Sequence, residues 1–298
     1  MALSMALTTF TLLSALTVVN ATPIRARDLR SALPSSANEI EYKFQPLMDF
    51  DKDGCYNTAA IDSSGNTNPG LGPVFKSPSS DCRDGDRLQN NNVYSRKRCN
   101  NGWCAIMYEY YFEKDQTVWG SFGVGHRHDW ENVVVFAQGD EVKWVAPSCH
   151  GKYDHATGSP RLDGVRPKVV YHQDGAGTHC IRMANEDDDN IENETGSWFT
   201  GALIGWDNWP DFNLRDTMLR AWSGGVGPKL DDEFASALAA AAGNNGYSVE
   251  QCWFGTGYKG LACHSTDSSS APHMYIYSSS ALGATPSKFL SITIEFQN

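Results

Sequence analysis

The sequence predicts a mainly β chain folded as a single β-sandwich flanked by a few short helices. Three observations carry that prediction: short β-branched and aromatic runs recur, Gly, Pro, Asn and Asp punctuate the gaps, and only two stretches show helical spacing. The runs are Ala105–Phe112 (AIMYEYYF), Glu131–Phe136 (ENVVVF), Val142–Val145, Lys168–His172 (KVVYH), Met274–Ser278 and Leu290–Phe296 (LSITIEF). One helix is expected over Glu233–Ala242, capped by Asp231 or Asp232, with Phe234 and Leu238 on one face and Gly243 as its stop. A weaker helix is expected from Phe212 to Trp222, where Leu214, Met218 and Trp222 align.

A chain of 298 residues with 41% hydrophobic and 20% charged residues is long enough for a large core and is neither collagen-like, coiled-coil nor disordered. The 24 Lys and Arg against 35 Asp and Glu leave a net charge of −11, so no nucleic acid partner is expected. Bulk attraction to anionic lipid is absent for the same reason, and any membrane contact must be specific or apolar. Residues 1–21 read as a secretory signal peptide: Met5–Val19 is apolar, small or hydroxylic, and Val19-Asn20-Ala21 has the small-x-small form of a cleavage site, although no Lys or Arg precedes the apolar core. A secreted, extracellular protein is the consequence. Residues 22–39, polar and bearing Arg25, Arg27 and Arg30, read as a flexible leader. Residues 40–298, without internal repeat or long linker, are expected to form one domain.

The eight cysteines all follow residue 54, which suits disulfides in an oxidising compartment. Proximity suggests Cys55 with Cys82, Cys99 with Cys104, Cys149 with Cys180, and Cys252 with Cys263; a cysteine zinc site is disfavoured because no C-x-x-C occurs. Asn193-Glu194-Thr195 is an N-glycosylation acceptor, which places Asn193 on a surface loop. The acidic stretch Glu186–Glu194 reads as a solvated loop. Asp49–Gly54 mimics the first half of an EF-hand loop, but Ala60 stands where the bidentate Glu is required, so a turn beside Cys55 is the better reading. Trp206 and Trp209, among Asp207, Asn208 and Asp211, suit a wet-edged loop that contacts lipid or sugar.

The densest chemistry lies in Gly125-His126-Arg127-His128-Asp129-Trp130-Glu131. In an extended strand Arg127, Asp129 and Glu131 share one face, with His128 and Trp130 on the other, and the two carboxylates lie about 7 Å apart. Like charges that close call for a cation. Asp115 joins them if its strand pairs with ENVVVF across the Gly-bearing segment 116–125. Asp115, Asp129 and Glu131 then offer hard oxygens to Mg²⁺ or Ca²⁺, with His126 reaching a bound water or a carboxylate. Zinc on His126 and His128 is the competing ion. A structural cluster in which Arg127 neutralises Asp129 and Glu131, with His128 packed on Trp130, is the alternative that spacing leaves open.

GHRHDWE resembles the signature of the necrosis- and ethylene-inducing-like proteins, the NPP1-type necrosis-inducing proteins secreted by plant-associated microbes. Further matches are Asp51-x-Asp53-Gly-Cys55, Ala105-Ile-Met-Tyr108, Lys114-Asp115, Ser148-x-His150-Gly, Thr178-His179 and Trp206-x-x-Trp209-Pro210. The resemblance implies a β-sandwich similar to actinoporins and fungal lectins with a divalent ion at an acidic pocket, held by Asp115, His126, Asp129 and Glu131. His179 and, less closely, His150 correspond to outer histidines, and His128 completes the cluster. A non-enzymatic cytolysin, monomeric in solution, is implied, one that binds inositol-phosphate sphingolipid headgroups of plant plasma membranes, permeabilises them and elicits necrosis and defence. A non-cytotoxic member with a lectin-like or surface role, or a metal-dependent hydrolase, are the alternatives. The chain departs from the simplest members in its cysteine number and in a long segment 116–124, where Trp119 and Phe122 flank the pocket and Trp119 joins Trp206 and Trp209 as a candidate lipid or sugar contact.

Overall fold

The structure, a computed structural model, describes residues 29–117, 124–175, 177–223 and 225–243. In chain order these form α1 (Glu39–Phe44), β1 (Leu47–Phe50), α2 (Gly85–Gln89), β2 (Asn92–Asn100), β3 (Trp103–Gln116), β4 (Gly125–Gln138), β5 (Glu141–Pro147), β6 (Leu162–Asp163), β7 (Arg166–Gln173), β8 (His179–Met183), β9 (Ala202–Gly205), α3 (Phe212–Ala221) and α4 (Phe234–Ala242). Two sheets result. One has the order β5-β4-β3-β2-β9; in the other, β7 pairs with β1 in parallel and with β6 and β8 antiparallel.

Phe50, Tyr108, Phe112, Val133, Val135, Tyr171 and Ile181 form the core between the sheets. Phe112 of β3 stacks on Tyr171 of β7 with ring centroids 3.7 Å apart, a contact that joins the two layers directly. The opposite face of the five-stranded sheet is buried as well: Tyr94, Met107, Tyr111, Trp130 and Val134 pack under Met218, Trp222, Phe234 and Leu238 of the C-terminal helical segment. Burial on both faces explains why AIMYEYYF and ENVVVF read as continuous apolar runs instead of alternating. The sandwich expected from the sequence is therefore present, and its larger sheet carries a third, helical layer.

Each expected strand within the described residues falls inside an observed one; Met274–Ser278 and Leu290–Phe296 lie outside the described residues. Helix α3 starts where Asp211 accepts the Asn213 N–H at 2.8 Å, and it buries Leu214 and Met218. Helix α4 begins one residue later than expected and ends at Gly243, whose φ of +67° suits a glycine. The bridges Cys55–Cys82, Cys99–Cys104 and Cys149–Cys180 form as spacing suggests, whereas Cys252 and Cys263 lie outside the described residues.

Three expectations need correction. Residues 29–39 are not a loose leader: Leu33 is 1% exposed, its N–H donates to Asn92 Oδ1 at 2.8 Å, and the Ser36 N–H donates to the Leu203 carbonyl at 2.8 Å. The missing apolar periodicity there hid a segment held by asparagine side chains and a single buried leucine. The acidic stretch is only partly solvated, because Asp188 is buried in a two-oxygen pair with Arg182 and Asp189 pairs with Arg161. Asn193 is 4% exposed, and its Nδ2 donates to Asp49 Oδ1 and the Ser197 carbonyl, each at 2.8 Å. A glycan on Asn193 does not fit this packing. The sequon residue Thr195 instead closes the same turn by donating to Asn193 Oδ1 at 2.6 Å.

Leu33→Ala removes a buried side chain from the face covered by the helical layer and is expected to cost about 3 kcal/mol. Urea unfolding of the variant checks this; a change under about 0.5 kcal/mol, as for an exposed site, would show the segment to be dispensable.

Candidate metal centre

Strands β3 and β4 run antiparallel, and their register sets Asp115 opposite His126 and Phe112 opposite Asp129. A Cβ on Gly125 would lie 2.3 Å from the Asp115 carbonyl, so the close start of β4 requires glycine, which also tolerates the φ of +135° found there. His128 has a φ of +61°, in the left-handed region. That residue breaks the alternation on which the sequence argument relied.

As a result His126, not Arg127, falls beside Asp129, and ligand atoms of Asp115, His126 and Asp129 all lie within 4.8 Å of one another. Arg127 turns away and donates to the Pro69 and Gly70 carbonyls at 3.0 and 2.9 Å, so it is not the neutralising partner of Asp129 and Glu131. His126 Nδ1 lies 2.7 Å from the His128 carbonyl. Since a carbonyl only accepts, Nδ1 carries the proton and Nε2 keeps a lone pair for a ligand. His128 takes a different role: its Nδ1 bonds the Tyr111 hydroxyl at 2.7 Å and its ring packs on Tyr111 and Trp222, with Trp130 in the same aromatic group. Burial, together with Arg127 and His126 nearby, holds its imidazole below the ordinary range.

Asp115 is clamped from β8. The His179 N–H donates to both carboxylate oxygens at 3.0 and 2.9 Å, and His179 Nδ1 lies 2.7 Å from Oδ1. On the far side of the ring, Nε2 lies 3.5 Å from Asp53 Oδ1. Burial pushes the His179 imidazole down, but hydrogen bonds to Asp115 and Asp53 outweigh it and raise the pKa to about 9. Asp129 accepts from the Tyr171 hydroxyl at 3.1 Å, and Tyr171 in turn stacks on His179. Burial, then repulsion from Asp115, pushes the Asp129 carboxyl up to about 7.

Glu131 stands beside this group rather than within it. Its carboxylate accepts from the Ser148 hydroxyl, which itself accepts the Asn132 N–H at 2.7 Å. Burial and the neighbouring Asp129 hold the Glu131 carboxyl well above its usual range. His150 is exposed, 3.3 Å from Asp174 and apart from the three donors. The Cys149–Cys180 bridge nonetheless binds the whole arrangement, because Ser148 and His150 flank one sulfur and His179 precedes the other.

Two acid oxygens and an imidazole nitrogen within 4.8 Å of one another form a donor set that a divalent cation fits. Tyr171, Ser148 and Asp53 support it and were missed from sequence as site residues, although KVVYH, Ser148-x-His150-Gly and Asp51-x-Asp53-Gly-Cys55 carry them. The aromatic candidates divide. Trp209 is not on a wet edge: it is buried and stacks on Tyr94 with centroids 5.5 Å apart. Trp206 is half-buried between the guanidinium groups of Arg96 and Arg215, each 4.2 Å from its ring. Trp119 lies outside the described residues.

Residues 38–241 match the family described as necrosis inducing protein (NPP1). The chain belongs to that family. Among similar proteins, NLP effector protein 3 of Phytophthora capsici is 32% identical over 206 residues, covering 67% of this chain and 80% of the relative. The solved structure of NLPPya in complex with mannosamine shares 27% identity at a TM-score of 0.58, covering 71% of this chain and 95% of that one. The structure of the non-toxic HaNLP3 protein shares 28% identity at a TM-score of 0.56, covering 71% and 96%. The β-sandwich of this NPP1-family chain is thus the fold of its solved relatives.

Because the folded Asp129 carboxyl titrates near 7, a cation that takes it as a ligand must displace a proton at lower pH. Calcium or magnesium affinity, measured by calorimetry, is expected to rise about tenfold per pH unit up to pH 7 and to level off above it. The sign for stability is opposite. Without a cation, folded Asp129 holds its proton up to about pH 7 while the unfolded chain releases it near 3.8, so its contribution to stability falls as pH rises through that window. An affinity independent of pH would remove Asp129 from the ligand set.

Proposed function

We propose that this NPP1-family chain is a secreted, non-enzymatic cytolysin and elicitor that uses a divalent cation, Mg²⁺ or Ca²⁺, to recognise inositol-phosphate sphingolipid headgroups of plant plasma membranes. The observation that carries the reading is the convergence of Asp115, His126 and Asp129 within 4.8 Å at the end of the β3–β4 pair. A bound cation would supply positive charge for a headgroup phosphate or sugar hydroxyl, which a protein of net charge −11 lacks in bulk. The residues themselves divide the work. Asp115, His126 and Asp129 would hold the ion, His179 and Tyr171 aim the two carboxylates, and Glu131, bonded by Ser148, packs beside them. The amino-sugar complex of NLPPya supports a carbohydrate-bearing ligand. Secretion is supported by the signal-like residues 1–21 and the three disulfides, and the protein is taken to act as a monomer in solution.

A second reading is favoured by HaNLP3, a non-toxic protein of similar structure. In that case the chain keeps the centre and the headgroup recognition but does not lyse cells. Infiltration of purified protein into dicot leaves separates the two readings.

Asp129→Asn keeps the shape of the side chain and its bond from Tyr171 but removes a charged ligand. The variant is expected to lose dye release from vesicles containing plant inositol-phosphate sphingolipid by more than about tenfold, with thermal stability retained. Leakage equal to that of the unaltered protein would defeat the proposal.

A further inference from the structure

The Asp51-x-Asp53 motif lines a second polar feature, a cleft of about 520 Å³ between the turn after β1 and residues 187–192, with Arg182 of β8 also in its lining. That volume suits a small molecule. Both walls are fixed from within the protein. Arg83 donates to the Phe50, Asp51 and Gly54 carbonyls of one wall and to the Glu192 carbonyl of the other, all at 2.7 to 2.9 Å. Asp49 accepts the Glu192 and Asn193 N–H groups at 2.9 and 3.0 Å, which fastens the second wall again. A ligand entering here has no loop to order, so the cleft is preorganised.

Five carboxylates and two cationic side chains line the cleft, and both cations are already engaged. Arg182 donates to the two Asp188 oxygens, each at 2.7 Å, and Lys52 Nζ lies 3.3 Å from Glu192 Oε1. The acids are not matched in turn. Asp51 lies 3.7 Å from Arg182, beyond hydrogen-bond reach, and burial, only partly offset by Arg182 and reinforced by Glu192 and Asp53, pushes its carboxyl up to about 6. Asp53 Oδ1 and His179 Nε2 are buried atoms that face each other at 3.5 Å, the outer limit of such a bond, and neither has another partner among the described residues. His179 itself is 3% exposed, so its open nitrogen points at the cleft wall from inside the protein. Asp187 stands exposed at the rim. Free acceptors with committed donors exclude an anion and give a neutral polyol no donor of its own to accept from. A bare metal ion does not match either, because no three carboxylates of this cleft converge within 4.8 Å as the donors of the centre do. We infer that the cleft binds a small organic cation, a ligand carrying protonated amines, with Asp51 and Asp53 accepting one ammonium and Asp187 facing a second charge at the rim. This site is separate from the cation centre and stands apart from the headgroup reading.

The test is calorimetry on the full-length protein with three probes: spermidine, glucosamine, and glucose as the counterpart without an amine. Spermidine is expected to bind most tightly and glucosamine more weakly, with no heat from glucose and with affinity falling as salt is added. Asp51→Asn and Asp187→Asn are each expected to weaken spermidine about tenfold, while the melting temperature and the Ca²⁺ affinity of the centre stay as they are. Asp187 is exposed, so its variant reports on the cleft even where Asp51→Asn disturbs the fold. An absence of spermidine binding at millimolar concentration, or equal affinity in the Asp51→Asn, Asp187→Asn double variant, would overturn the site. Glucose binding as well as glucosamine would show that charge is not what the cleft reads. Loss of spermidine binding in Asp129→Asn with retention in the double variant would move the amine to the cation centre and leave the cleft without a ligand.

Discussion

Burial of acid side chains at one end of the β3–β4 pair is the constraint around which the rest of the site is arranged. Asp115 and Asp129 sit where water is scarce, and burial together with the nearby Asp115 penalises ionisation of Asp129. Such an arrangement survives only with donors aimed at the carboxylates. His179 supplies two to Asp115 and Tyr171 supplies one to Asp129, and both residues come from the opposite sheet. The contact between the sheets is therefore electrostatic as well as apolar at this end, with the Phe112–Tyr171 stack directly beside it.

The disulfides act on the same constraint. Cys149–Cys180 fastens the loop that carries Ser148 to the strand that carries His179, and the Ile181 N–H donates to the Ser148 carbonyl at 3.1 Å. One covalent link thus sets the position of the groups that hold Glu131 and Asp115. The Cys55–Cys82 bridge follows the Asp51–Gly54 turn, which places Asp53 behind His179. Stabilisation by cross-links and organisation of charge are one design here, because both bear on the few residues that separate like charges.

The left-handed His128 links local backbone geometry to function. In a regular strand Arg127 would share the face of Asp129, and its guanidinium would fill the space between the acids. With His128 at positive φ, Arg127 caps the carbonyls of the 69–70 loop and an imidazole takes its place. The result exchanges an internal ion pair for a donor set open to a ligand. Next to it, Gln116 stitches residues 74–76 to the strand end, so that loop and the polar centre are fixed by consecutive residues of β3.

Strands β3, β4, β5 and β7, helices α3 and α4, three disulfides and the donor types of the centre are legible in the sequence because each depends on neighbours a few positions away. AIMYEYYF, ENVVVF, the Phe234–Leu238 spacing and the short cysteine loops are signals of that kind. Which acids face each other was not legible, since strand alternation runs through only while every φ is negative, and His128 shifts its phase. Nor was the fate of Trp209, Asn193 or Leu33, whose partners Tyr94, Asp49 and Asn92 lie 59 to 144 positions away and are chosen by packing. By itself the sequence determined what chemistry was present; the tertiary structure decided which groups meet, because burial and long-range contact, not local preference, set the position of a charge.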